Sequence, residues 1–267
     1  MVSQYLHREP LAFYNQEMKT RKLQPETLRE HILNTFNEFE GVYGDKYSTL
    51  IANRLLITYD FEIEKMLNLR NLIAHLIKFI ISMHDIGKIL KVYQVQYGLV
   101  ELGLCNRNKM TFIGHEIFSA YTLLEFITEV LRRETQQEHE LVEEIAATLA
   151  CGVLGHHVAM RGLLDDYVGY IMYIEFEDLI NEIIKCINVQ RNELLEAEQS
   201  HIDIILQVAK DLLSRTNLLN HFNLLKSSIE SFKKGLNIQK IQLDIKARIL
   251  RRANTVSYTH LTLPTKA

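Results

Sequence analysis

Apolar residues recur every three or four positions along most of the chain, the period of helices packed on one face. Leu28, Ile32, Phe36 and Phe39 form the first stripe. It predicts a helix that opens at Gln24-Pro25-Glu26-Thr27, with Pro25 in its first turn, and stops at Gly41. Residues 46–58 predict a second helix and 60–83 a longer third, in which Ile73, Ile77 and Ile80 lead to His84. A short helix is expected over 89–94 and a loop over 97–110. The next helix opens at Phe112, and Phe118, Thr122 and Phe126 continue the face that His115 starts. Over 137–160, Leu141, Ile145, Leu149 and Gly152 descend one face to His156. A connection over 161–169 leads to helical patterns over 174–195 and 199–219, then an amphipathic, basic stretch over 222–253. Residues 1–22 lack such a period and read as irregular. The whole predicts an all-α fold.

Composition agrees. Three prolines and eleven glycines are few for 267 residues, and 47% hydrophobic with 24% charged residues is ordinary for a globular domain. A formal charge of -3 gives no basic signature of a nucleic-acid binder, so any nucleic acid would be held by a local patch or by bound metal. Cys105, Cys151 and Cys186 are scattered and read as reduced thiols of a cytoplasmic protein. The N-terminus lacks the pattern of a signal peptide, and the apolar run Leu72 to Met83 is too short to span a bilayer. From Val256 the chain turns threonine-rich with β-like alternation. This stretch resembles a translated sequencing-library adapter. We therefore expect a domain over 1–225, a basic helical extension over 226–255 and a non-native tail over 256–267, with His260 excluded as a ligand.

The chemistry gathers on Ser82-Met83-His84-Asp85-Ile86-Gly87-Lys88. An imidazole and a carboxylate side by side can both bind metal, and the carboxylate can bridge two ions. Gly87 would let the backbone turn, and Lys88 would put a cation beside an anionic substrate. Other candidates end or share helical faces: His31 beside Leu28 and Ile32, His115, the pair His156-His157, and Asp211 among Ile204, Val208, Leu212 and Arg215. Any one of these has a bland reading. His31 alone would be a core histidine, and Asp211 alone would pair with Arg215 four residues on. Together they supply seven nitrogen and oxygen donors, more than one ion needs and suited to two ions roughly 3.5–4 Å apart. No thiolate takes part, which argues against structural zinc.

On these residues the sequence resembles the HD superfamily, and within it the HD nuclease of type I CRISPR systems, which stands alone or is fused to a helicase. The matching pieces are Glu26 to His31, His84-Asp85-Ile86-Gly87-Lys88 with Tyr93-Gln94, Gly114-His115-Glu116 with Ser119-Ala120, Gly155-His156-His157, and Asp211 to Ser214. The resemblance implies a helical bundle around two divalent metals: manganese, nickel, cobalt or iron, with magnesium as another option. His31, His84, Asp85 and Asp211 would hold one ion. Asp85 would bridge, and His115, His156 and His157 would hold the other. Asp203 is an alternative to Asp211. Asp85 and Lys88 would be catalytic, and Lys88, Ser119 and Arg215 would contact substrate. The implied activity is hydrolysis of phosphodiester bonds, mainly in single-stranded DNA, in CRISPR antiviral defence. A helicase subunit and a guide-RNA effector complex are the implied partners; the basic segment 233–252 reads first as a solvated helix face, with a docking element for such a partner as the alternative.

Two other readings share the pattern. One is a phosphohydrolase of nucleotides or cyclic dinucleotides. The cyclic-dinucleotide branch carries Gly-Tyr-Pro after its paired histidines, where this chain has Val158-Ala159-Met160. The other is a non-catalytic HD scaffold, which lost ligands would mark; none of the expected ones is missing.

Overall fold

The computed structural model describes residues 9–13, 24–59, 63–90, 93–94, 115–135, 139–156 and 191–234. The expected loop 97–110, connection 161–169, helix over 174–190, His157 and everything from residue 235 lie outside the described residues. Within them the fold is all-α apart from one short β pair. Strand β1 (Leu11–Phe13) lies antiparallel to β2 (Glu26–Thr27), with Leu11 opposite Thr27 and Phe13 opposite Glu26. Part of the stretch expected to be irregular is therefore a strand.

That pairing also moves the first helix. Glu26 and Thr27 are taken by the strand, so α1 (Leu28–Val42) starts at Leu28 and Pro25 stays outside. Thr27 caps it. Its hydroxyl accepts the Glu30 N–H at 3.2 Å, and the Glu30 carboxylate accepts the Thr27 N–H at 2.9 Å. Gly41 does not end the helix. The break falls at Gly44, whose φ of 45° belongs to the left-handed region that glycine enters without strain. From there α2 (Gly44–Thr58) runs back along the domain.

Helix α3 (Ile63–Ser82) is the centre. Ile73, Leu76, Phe79 and Ile80 are buried, and α1, α2, α4 (His115–Thr135) and α5 (His139–Leu154) pack around it. Phe79 meets Phe126 of α4 with ring centroids 5.2 Å apart. Lys78 is buried on the opposite side, bound to Glu40 at 2.8 Å and Asp45 at 2.5 Å, and so ties α3 to α1 and α2.

Two expected boundaries shift. Helix α5 ends at Leu154, and Gly155-His156 form a turn, six residues short of expectation. The expected break between 195 and 199 is absent: α6 runs unbroken from Arg191 to Arg215. It ends where Asn217 takes a φ of 56°, a conformation asparagine tolerates. A 3-10 turn, Leu219–His221, leads into α7 (Phe222–Lys234), which packs on α4 with Leu225 and Ile229 buried. The expected domain boundary after residue 225 thus falls inside a helix that belongs to the core. No helix among the described residues is long and apolar enough to cross a membrane.

Candidate metal centre

Asp85 follows the last turn of α3 and is 2% exposed. Four imidazoles from four elements close on its two oxygens. On Oδ1, His115 Nε2 lies at 2.8 Å and His156 Nε2 at 3.4 Å. On Oδ2, His31 Nε2 lies at 3.1 Å and His84 Nε2 at 3.6 Å. The rings touch in a row, His31 to His84 at 5.4 Å, His84 to His156 at 4.8 Å and His156 to His115 at 5.5 Å between centroids. His31 comes from α1, His84 follows α3, His115 opens α4 and His156 sits in the turn after α5.

The far nitrogens are held as well. His84 Nδ1 donates to the Ile81 carbonyl at 2.8 Å, and His156 Nδ1 to the Val153 carbonyl at 2.5 Å. A carbonyl can only accept, so each Nδ1 carries a proton and each ring turns its Nε2 towards the centre. His31 Nδ1 lies 3.4 Å from Glu26 Oε1, and His115 Nδ1 lies 3.3 Å from Glu116 Oε2.

Burial sets the charges. Desolvation pushes the His84 pKa down to about 4, so this ring stays a neutral donor at neutral pH. For Asp85, burial favours the protonated form. The imidazoles of His115, His156 and His31 set close around it, with the His115 hydrogen bond at 2.8 Å, outweigh burial and hold the carboxyl well below its ordinary range. The nearby Asp85 carboxylate raises His31.

Gly87 and Ser119 fix the turn that carries the pair. A Cβ on Gly87 would come within 2.1 Å of the His115 carbonyl oxygen and 3.0 Å of the Phe118 Cβ. The glycine thus permits contact between the 3-10 turn Ile86–Ile89 and the start of α4; it does not supply a left-handed φ. Ser119, expected to touch substrate, is instead fully buried, and its hydroxyl accepts the Gly87 N–H at 2.8 Å. Gln94 holds the other side. Its side chain donates to the Lys88 carbonyl at 2.6 Å and exchanges hydrogen bonds with the Leu11 backbone at 2.9 and 3.0 Å. The motif showed Gln94 six residues after Lys88, but the β1 strand it anchors left no sequence signal.

Lys88 reaches inward. Its ammonium lies 2.6 Å from Asp85 Oδ2, on the side of His31 and His84. Asp211 is not drawn in. It is 49% exposed and pairs with Arg215 at 2.8 Å, so it does not lie on the apolar face expected for it; the ion pair on the helix surface accounts for its charge. Arg215 itself lies over the Phe36 ring of α1, 5.8 Å from the centroid. Asp203 is also exposed and accepts from Gln199 at 3.0 Å.

The gathered residues fit divalent metal. Two sets, His31-His84-Asp85 and Asp85-His115-His156, each bring their donor atoms within 4.8 Å of one another and share the carboxylate. His31 Nε2 is buried and makes no well-directed hydrogen bond, the state of a lone pair aimed at an ion. The donors are imidazole and carboxylate, suited to manganese, iron, cobalt, nickel or zinc. Cys151 stays apart as a thiol whose pKa burial pushes up to about 12.

The family profile described as Cas3, HD domain matches residues 19–217. No curated protein and no solved structure matches the chain.

Proposed function

From the premise that this chain belongs to the family of Cas3 HD domains, which are CRISPR-associated HD nucleases, we propose that it hydrolyses phosphodiester bonds of single-stranded DNA with two divalent metals. The observation that carries this reading is the convergence of four Nε2 atoms on the two oxygens of one carboxylate. His31, His84 and Asp85 would hold one ion, and Asp85, His115 and His156 the other. His157, next in sequence, joins the second set in this proposal. Asp211 joins the first by leaving Arg215, since α6 packs against both α1 and the turn after Asp85.

Bound metals would supply a water-derived nucleophile near neutral pH and stabilise charge on the entering and leaving oxygens. The protein's part is positioning. The Ile81 and Val153 carbonyls keep His84 and His156 in the ligating tautomer. Lys88, bound to Asp85 at 2.6 Å, would be free to face a phosphate once the carboxylate served metal, and would offset the negative charge that grows there. Arg215 is a second cation for the strand. The substrate in this reading is the strand displaced when a guide RNA pairs with its target, delivered in the cytoplasm by a helicase subunit and an effector complex.

The deciding assay uses metal-stripped protein resupplied with manganese, nickel, cobalt or magnesium. Circular single-stranded DNA is offered against nucleotides and cyclic dinucleotides. Cleavage of the circle with manganese, nickel or cobalt is expected. Turnover of nucleotides alone would assign the chain to phosphohydrolase chemistry instead.

A further inference from the structure

Each half of the centre contains one imidazole backed by a carbonyl and one that faces a carboxylate. His84 is backed by Ile81 and His156 by Val153, while His31 faces Glu26 and His115 faces Glu116. Glu116 is 1% exposed at the first turn of α4. A glutamate there is ordinarily solvated and favoured by the helix dipole. Burial removes that solvation and demands hydrogen-bonded partners. The His115 ring nitrogen lies 3.3 Å from Oε2, near enough for a small ring rotation to make it one, and that oxygen has no hydrogen bond in the present geometry. Glu26 stands in strand β2, immediately before the cap of α1, and its carboxylate is brought to His31 by the short β pair.

We propose that Glu26 and Glu116 are positioning residues, one for each half-site, which hold the Nδ1 protons of His31 and His115 and strengthen their Nε2 atoms as donors. This rests on the two-metal reading above. A carboxylate behind a ligating imidazole fixes ring orientation and tautomer and raises ligand basicity, and its loss typically costs about 10–100-fold in metal affinity. The two carboxylates belong to different halves of the cluster, so their effects are separable. Glu116, fully buried, carries the larger one. Glu26, whose side chain is 35% exposed, carries a smaller one because water can replace it.

The test is cadmium and manganese titration of metal-stripped full-length protein, comparing wild type with Glu26→Gln and Glu116→Gln. Calorimetry reads the two affinities. Nitrogen-15 NMR of the cadmium-loaded protein shows which imidazoles each ion perturbs and how fast each Nδ1 proton exchanges. Glu116→Gln should weaken the site that perturbs His115 and His156 by about 10–100-fold, speed exchange of the His115 Nδ1 proton and leave the other site unchanged. Glu26→Gln should do the same, more weakly, at His31 and His84. The glutamine is isosteric, and unfolding of either variant would show in its urea midpoint without metal. Should Glu116→Gln unfold, Glu26→Gln still decides, because Glu26 is partly open to solvent. Unchanged affinities in both variants, or equal weakening of both sites by either one, would overturn the proposal while leaving the metal centre intact. A wild type that takes up no metal would overturn the two-metal reading and this one with it.

Discussion

Gly87 lies so close to His115 that a methyl group on it would sit 2.1 Å from the His115 carbonyl oxygen. The obstacle is backbone at the start of a buried helix, so it cannot swing aside. Gly87→Ala should separate the turn from α4, destabilise the fold by about 2–4 kcal/mol and misplace Asp85 relative to His115. Urea unfolding and metal content of the variant check this. Gly41→Ala is the control: it stands inside α1 with nothing within 4 Å of the new methyl, and should stabilise by about 1 kcal/mol.

Ser119→Ala removes the acceptor of the Gly87 N–H in a site closed to water. The orphaned donor should cost about 1–3 kcal/mol. The loss should appear in the metal-free protein by thermal unfolding. A substrate contact would instead raise KM at unchanged stability.

Lys88 and Asp85 are bound to each other, yet their substitutions should part company. Asp85→Asn should abolish cleavage and strip metal from both sites, because the carboxylate serves both. Lys88→Met should keep the metal and lower kcat by roughly 100-fold, the scale of one lost donor to developing charge. Metal analysis beside single-turnover rates separates the two.

Asp211 and Arg215 form a surface pair of the kind that contributes under about 0.5 kcal/mol. Asp211→Asn should therefore leave stability almost unchanged. As fourth ligand of the His31-His84 ion it should nonetheless lower metal content towards one ion per chain. Full metal content in this variant would remove Asp211 from the set.

His84 gives the metal-free protein a pH dependence with a defined sign. Its pKa in the folded chain is about 4, against 6.5 for the free side chain. Between those values the unfolded chain binds the proton and the folded one does not, so stability falls as pH falls from about 6.5 to 4. The loss approaches about 3 kcal/mol at the acid end. His31, raised by Asp85, acts in the opposite window, losing its contribution as pH rises above 6.5. Urea midpoints in chelator should show the acid slope in wild type and a smaller one in His84→Gln.

Much of the core could be read from periodicity. Leu28, Ile32, Phe36 and Phe39 lie buried along α1, as the spacing required, and Ile73, Ile77 and Ile80 deliver His84 to the end of α3. Boundaries were less legible. Pro25 and Gly41 are good local start and stop signals, but β pairing at Glu26–Thr27 and the turn at Gly44 override them. Asp211 shares a helical face with apolar residues in sequence, yet α6 leaves it at the surface, because a period marks a face without saying how far the neighbouring helices cover it.

The sequence by itself determined which donors exist and that they come at the ends or on the inner faces of separate helices. Residue type and the 3.6-residue period suffice for that. Only the tertiary structure decided that four Nε2 atoms divide two and two between the oxygens of Asp85, that Ser119 is a buried strut and that Glu26 and Glu116 stand behind His31 and His115. Those relations join residues tens of positions apart, or depend on ring rotation and burial. They are fixed by how the helices pack, which local pattern does not encode.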